Sequence, residues 1–351
     1  MKVLLIGGTG AMGKHLSKIL SDNCIETFVT TRKHRIDSKY IKYMVGNALE
    51  MEFLKKTMNT KWDAIVDFML YSSSQFYERI ELLLNSTTHY FYISSSRVYA
   101  NSKSKIIESS PRLLDHAQDE EFLNSGEYSL QKAEQENYFL NATRNNWTII
   151  RPYITYSEER LQLGVFEKEE WLYRALQGKT IVFSKEIARK KTTLTYGLDV
   201  ANAIYSLFRH PETKGQVYHI TQNNSNSWNE ILAIYLKIIE EYTGKRPRVL
   251  DIGLNELKKL KPSPYSITKD RLYNREFNTS KINEYIPIDN FTEAYEGIKI
   301  CLNEILINKK FHKINWTAEA KKDKLTKEIS KINEIPGLKT KLRYLYYRFL
   351  G

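Results

Sequence analysis

An apolar run at residues 2–6 (Lys-Val-Leu-Leu-Ile) leads directly into Gly7-Gly8-Thr9-Gly10-Ala11-Met12-Gly13. Leu16, Ile19 and Leu20 then recur at i, i+3, i+4, the spacing of a packed helix face. A strand, a tight glycine turn and a helix in immediate succession commit the chain to a parallel βα unit. Glycines let a backbone approach a pyrophosphate, and a helix N-terminus supplies N–H groups and partial positive charge. The spacing is G-x-x-G-x-x-G, not the G-x-G-x-x-G of the common fingerprint, so the strand–turn–helix context carries the reading. The residues expected at a dinucleotide are Gly7, Thr9, Gly10, Ala11, Met12 and Gly13. The competing reading is a tight strand–helix turn with no ligand.

The rest of the chain keeps alternating. Strand-like runs fall at 27–30, 63–69, 90–94 and 147–150, with helical patterns at 50–58, 76–84 and 128–142 between them. This predicts an α/β fold, a Rossmann-type doubly wound parallel sheet. After Arg151-Pro152 the pattern becomes irregular: a helix near 169–177, a strand at 180–183, a helix opening at 198–201, a strand at 216–221 and a helix at 228–242. Pro262 and Pro264 mark a loop. A length of 351 residues suggests about two structural units. The expected division is a dinucleotide-binding domain over 1–155 rejoined by parts of 195–222, a smaller α/β substrate-binding region over 156–310, and a basic helical tail over 311–351.

The second strand ends Thr30-Thr31-Arg32, followed by Lys33, His34 and Arg35. An acid at this place would hydrogen-bond the ribose 2′-hydroxyl of NAD, whereas an Arg accommodates the 2′-phosphate of NADP. No acid is present, so Thr31 and Arg32 are expected at the adenosine ribose, with NADP(H) favoured and NAD(H) the alternative.

Two further clusters carry chemistry. Ile93-Ser94-Ser95-Ser96-Arg97-Val98-Tyr99 follows an apolar strand, and Tyr128-Ser129-Leu130-Gln131-Lys132 lies in a helical pattern. Tyr128 and Lys132 at i, i+4 share a helix face. A neighbouring ammonium favours a phenolate, which makes a tyrosine a usable acid/base toward a hydroxyl or carbonyl. A serine at a strand end can bond the same oxygen. Alone, Y-x-x-x-K is common by chance; the order of glycine turn, serine-rich strand end, then Tyr and Lys gives it meaning.

With these residues in that order, the chain resembles the extended short-chain dehydrogenases/reductases, the group called the NAD-dependent epimerase/dehydratase family. The likeness rests on Gly7, Gly10 and Gly13, the Ser94-to-Tyr99 run, Tyr128 and Lys132, Arg151-Pro152 and Asp199-Val200-Ala201, over about residues 1–205. It implies that Ser95 is the catalytic Ser/Thr, that Tyr128 is the acid/base, and that Lys132 orients the nicotinamide ribose. It also implies that Asn47 and Ala48 lie against adenine, that Phe68 and Met69 flank the cofactor, and that Tyr153 and Ile154 stand near the nicotinamide. The chain also departs from the family pattern. Ser96 and Arg97 replace the Asp-Glu pair of dehydratases, which disfavours dehydration. Ile154 stands where many nucleotide-sugar enzymes have Asn, and Thr192 where many have a diphosphate-gripping Arg. The resemblance implies an NAD(P)-dependent epimerase or ketoreductase acting on a sugar, a nucleotide-activated one, and by default a homodimer.

Composition sets the remaining expectations. Cys24 and Cys301 are far apart and the seven histidines are scattered, so neither a disulfide framework nor a metal site is expected. No apolar run reaches the ~18 residues of a membrane-spanning helix, and no signal-peptide pattern is visible, so a soluble cytoplasmic protein is expected. The net charge is +12, and residues 310–351 carry eleven Lys/Arg against four Asp/Glu, a net of +7. Between 338 and 350 Lys339, Lys341, Arg343 and Arg348 alternate with Leu342, Leu345, Tyr346 and Phe349, a pattern that fits an anionic membrane surface or a helix docked on its own domain. A non-catalytic Rossmann-fold protein binding RNA or a protein partner is the alternative function. Nucleic acid is the less favoured partner, because the positive charge concentrates in the tail.

Overall fold

The computed structural model describes residues 1–261 and 263–351; Pro262, expected with Pro264 in a loop, lies outside the described residues. The chain divides into two units. Unit one comprises Met1–Ser157, Thr193–Asn224 and Glu276–Ala294; unit two comprises Glu158–Thr192, Ser225–Arg275 and Tyr295–Gly351.

Unit one is built on seven strands: β1 Lys2–Ile6, β2 Glu26–Thr31, β3 Ile41–Val45, β4 Ala64–Asp67, β5 Tyr90–Ile93, β6 Trp147–Pro152 and β7 Gln216–Ile220. They form one sheet in the order β7-β6-β5-β4-β1-β2-β3, with every pairing parallel. The principal helices are α1 Gly13–Asp22, α2 Met51–Thr57, α3 Ser73–Asn85, α4 Tyr128–Leu140 and α5 Gly197–Leu207. Strand residues alternate between two cores, as a period of two requires. Val3, Leu5, Val29 and Val66 meet Leu16 and Leu20 of α1 and Val200 and Ile204 of α5. Leu4, Ile6 and Ile65 meet Leu54 of α2, Phe76 and Ile80 of α3 and Phe139 of α4 on the other face. Covered on both faces, the inner strands read as continuous apolar runs. β3 has no counterpart among the expected strands. It is an edge strand, mostly half-buried and carrying Lys42, so neither a run nor an alternation marks it.

The winding reverses between β1 and β4, because β1 leads outward to β2 and β3 while β4 leads the other way to β5, β6 and β7. In open α/β sheets ligands bind at the carboxyl ends of the strands at such a switch point.

Unit two contains the parallel pair Ile181–Ser184 and Val249–Ile252 and the helix Trp228–Thr243. That helix starts in a capping box between Ser227 and Glu230 and stops at Gly244 (φ 72°). Residues 311–351, expected as a separate basic tail, are part of this unit. Their acids are the reason. Glu319 and Asp323, one turn apart on the helix Trp316–Thr326, face the buried Arg174, and Glu328 joins them at 2.9 Å. Lys179 Nζ lies 2.7 Å from Asp323, whose other oxygen accepts from the hydroxyls of Ser330 and Tyr344. Burial alone would raise the Asp323 carboxyl, but the donors Lys179, Tyr344 and Arg174 prevail and hold it below the ordinary carboxylate range. Trp316, Ala320, Ile335 and Tyr344 close an apolar cluster beside them.

Candidate functional site

At the end of β1 the backbone turns through Gly7 at φ +68°, a left-handed conformation that suits glycine. Met69, just past β4, closes on the same glycine: a Cβ there would stand 2.7 Å from its sulfur. A Cβ on Gly13 would meet the backbone of Gly8 at 2.5 Å, so only glycine lets α1 start this close to the turn. Gly10 differs, since a Cβ there would meet nothing within 4 Å. α1 begins without a side-chain cap and without an acid in its first turn. The turn therefore offers an open, uncapped helix N-terminus of the kind an anion uses. Thr9, Ala11 and Met12 line the same turn and are partly exposed.

β2 ends at Thr31, whose hydroxyl donates to the Lys33 carbonyl and accepts from the Lys33 N–H. Arg32, Lys33, His34 and Arg35 beyond it are exposed. Arg35 lies over the Tyr43 ring at 5.9 Å, and Asp37 bonds the Tyr43 N–H. After β3, Asn47 is held by Glu50 and by the Leu49 N–H, while Ala48 is buried in the core.

β4 ends in Asp67, a residue the sequence reading missed. Its buried carboxylate accepts from the hydroxyls of Tyr71 (3.0 Å) and Tyr90 (2.8 Å) and from the Met69 N–H (3.0 Å). Burial raises the Asp67 pKa, and those bonds offset it only in part. Phe68 and Met69 follow it, partly exposed.

At the end of β5 the three serines take separate roles. Ser94 donates to Glu136 at 2.6 Å and Ser96 to the Arg151 carbonyl at 2.8 Å. Ser95 caps the short turn Ser96–Val98, accepting from the Arg97 N–H at 3.2 Å. That turn packs on α4. It places the Arg97 guanidinium over the Tyr128 ring at 5.3 Å, ion-paired with Glu127.

α4 carries the remaining groups. Tyr128 and Lys132 line one cleft of about 310 Å³ with Leu70, Tyr71, Ser72 and Gln131. The buried Lys132 ammonium donates to the Ile93 carbonyl at 2.8 Å and lies over the Tyr92 ring at 4.6 Å. Burial pushes its pKa down to about 8, against the opposing pull of Asp67 and Glu136. One turn further on the same face, Glu136 is fully buried between Arg151 (2.8 and 2.7 Å) and Arg112 (3.3 Å). Its position, four residues after Lys132 and eight after Tyr128, is the signal that could have revealed it in the sequence.

Tyr153 is buried with Tyr99, Ala133 and Phe277, and Ile154 follows at φ +36°. Thr192 belongs to unit two, where its buried hydroxyl has no hydrogen-bond partner among the described residues. The structure thus brings the glycine turn together with Met69, and Tyr128 together with Lys132, while Arg32 stands apart in solvent.

The fold has known counterparts. The model of the NAD dependent epimerase/dehydratase family matches residues 3–221. No curated protein matches the sequence. The fold is similar to that of an epimerase from Methanothermobacter thermautotrophicus, at 14% identity and a TM-score of 0.67 over 88% of this chain and 92% of that one. It is also similar to UDP-glucuronic acid 4-epimerase from Bacillus cereus in complex with UDP-glucuronic acid and NAD, at 16% identity and a TM-score of 0.66 over 88% and 100%. A third is UDP-glucose 4-epimerase from Thermus thermophilus in complex with NAD, at 16% identity and a TM-score of 0.63 over 87% and 99%. The matched residues run from β1 through β7, so the whole sheet and every segment at its carboxyl edge fall within them, and the chain belongs to the NAD dependent epimerase/dehydratase family.

Proposed function

We propose that this enzyme is an epimerase or ketoreductase of a nucleotide-activated sugar, with Tyr128 as the acid/base. The observation that carries the reading is that Tyr128 and the buried Lys132 face one cleft at the carboxyl edge of the sheet. The Tyr128 phenolate takes the proton of a sugar hydroxyl as that carbon loses hydride and becomes a carbonyl, and the resulting phenol gives it back on return. Lys132, fixed on the Ile93 carbonyl, supplies the positive charge that favours the phenolate and a donor for the nicotinamide ribose. Ser95 lends a hydroxyl at the end of β5. The open face at Gly10 and the uncapped start of α1 fit a dinucleotide pyrophosphate. A bound nicotinamide supplies hydride acceptance and donation, which no protein side chain can.

Ser96 and Arg97 support epimerisation or reduction over dehydration, since one is spent on the Arg151 carbonyl and the other is paired with Glu127. Neither is an acid able to protonate a leaving hydroxyl. The exposed Arg32, with no acid at the end of β2, supports NADP(H), although two of the similar structures, the UDP-glucuronic acid and UDP-glucose 4-epimerases, hold NAD. The test is turnover of a panel of UDP- and dTDP-sugars by wild type and Tyr128→Phe. The variant is expected to lose turnover and to keep cofactor affinity. Wild-type turnover in the variant would refute the assignment.

A further inference from the structure

We propose that the outer face of the C-terminal segment of unit two is a docking surface for an anionic lipid bilayer. The helix Leu338–Leu345 continues through a wider turn, Tyr346–Leu350. Leu338, Leu342, Tyr346 and Phe349 recur at i, i+4, i+8 and i+11, one helix face. They are 74%, 59%, 52% and 55% exposed. The concentration is specific to this region: of nineteen exposed large apolar side chains among the described residues, eight lie between 325 and 350. A row of this length without a partner marks an interaction surface.

Charge decides which partner. Three of the four acids of this region, Glu319, Asp323 and Glu328, turn inward to Arg174, and the fourth, Glu334, accepts from the Tyr173 hydroxyl at 2.9 Å. Residues 335–351 contain four Lys/Arg and no acid. Beside the apolar row, Lys313, Lys339 and Arg343 line a cleft of about 710 Å³ with the helix start at Asn315 and Trp316 and with one acid, Glu334, so cations outnumber acids there three to one. All three cations are exposed and none is ion-paired among the described residues. An apolar stripe bordered by unneutralised cations is the pattern of an interfacial helix, with the stripe among acyl chains and the cations at lipid phosphates. A second copy of the chain fits poorly, since a two-fold contact would set this predominantly cationic face against itself.

The test is flotation of the full chain with vesicles of phosphatidylglycerol in phosphatidylcholine, against vesicles of phosphatidylcholine alone. Binding is expected to the anionic vesicles, to weaken with salt, and to fall at least about tenfold in Leu342→Asp/Phe349→Asp. Lys339→Glu/Arg343→Glu is expected to lose about tenfold through the headgroup contacts alone. Unchanged melting temperatures show that the variants are folded, as exposed positions allow. Absence of binding by the wild-type chain, or equal binding by the variants, overturns the proposal. So does a concentration-dependent dimer that the same substitutions abolish, which would assign the face to self-association. The readout uses neither cofactor nor turnover, so it stands or fails apart from the proposed enzymatic reading.

Discussion

Lys132 offers a test of the site that needs no substrate. The residue is 2% exposed, and burial holds its pKa at about 8 in place of 10.5. Below about pH 8 the group is charged in both folded and unfolded chains, and the full cost of burying that charge, about 3 kcal/mol, weighs on the fold. Between the two pKa values the unfolded chain keeps the proton and the folded chain has released it. Stability therefore rises with pH there, by up to about 1.4 kcal/mol per unit. Lys132→Met removes the titration. At neutral pH its net effect is small, because the relief of the buried charge is set against an Ile93 carbonyl left without its donor, a loss of about 1–3 kcal/mol. The informative quantity is the difference in pH dependence. From about pH 7 to about pH 10, wild type should gain about 2 kcal/mol on the variant in urea unfolding. Lys322 and the buried tyrosines titrate in both proteins and cancel. Parallel stability profiles would refute the reasoning, because they would mean an ammonium open to water with an ordinary pKa. The same titration predicts that turnover falls above about pH 8, as the charge that favours the Tyr128 phenolate is lost.

Three other outcomes follow from the geometry. Gly13→Ala drives a methyl to 2.5 Å from the Gly8 backbone and should cost about 1–3 kcal/mol in thermal or urea unfolding, while Gly10→Ala meets open space and should change stability by less than about 0.5 kcal/mol yet weaken dinucleotide binding measured by titration calorimetry. Arg174→Met leaves Glu319, Asp323 and Glu328 without their shared cation and should destabilise by about 3–5 kcal/mol, read as a lower unfolding midpoint. Wild type should bind NADPH more tightly than NADH, and Arg32→Ala should remove the difference; equal affinities in wild type would remove NADP(H) as the preferred cofactor.

What the sequence made legible follows local rules. β1 reads as a strand because four consecutive apolar residues are buried on two faces, and α4 declares Tyr128 and Lys132 because helical spacing is independent of the rest of the fold. β3 escapes because a half-buried edge strand carries only a weak pattern. Asp67 escapes for a different reason: its donors come from four residues ahead and from the neighbouring strand, and only the sheet brings Tyr90 to it. The basic character of residues 310–351 is plain in composition, but composition cannot show that Glu319 and Asp323 turn inward to cations that precede them by some 140 residues. The same rotation leaves the outside of that segment more positive than its net charge of +7 suggests.

At Ile154, expected from the sequence to stand near a nicotinamide, local preference and structure disagree. A β-branched residue at φ +36° is a conformational outlier, and such backbone costs of order 1–3 kcal/mol. Two features hold it there. Its carbonyl accepts from the Thr195 N–H at 3.3 Å, and the preceding Tyr153 is locked among Tyr99, Ala133 and Phe277. Neither neighbour can shift without opening a buried cluster, so the strain is imposed by packing on both sides of the peptide. Conflicts of this kind concentrate where geometry serves a ligand and not the fold. Ile154 lies two residues past the strand whose Arg151 clamps Glu136, on the helix face that carries Lys132 and Tyr128. An Asn would adopt the same backbone at lower cost but would place an amide where this chain has an apolar branch. The chain keeps an apolar side chain at that position on a strained backbone, held by the packing of Tyr153 and the bond from Thr195.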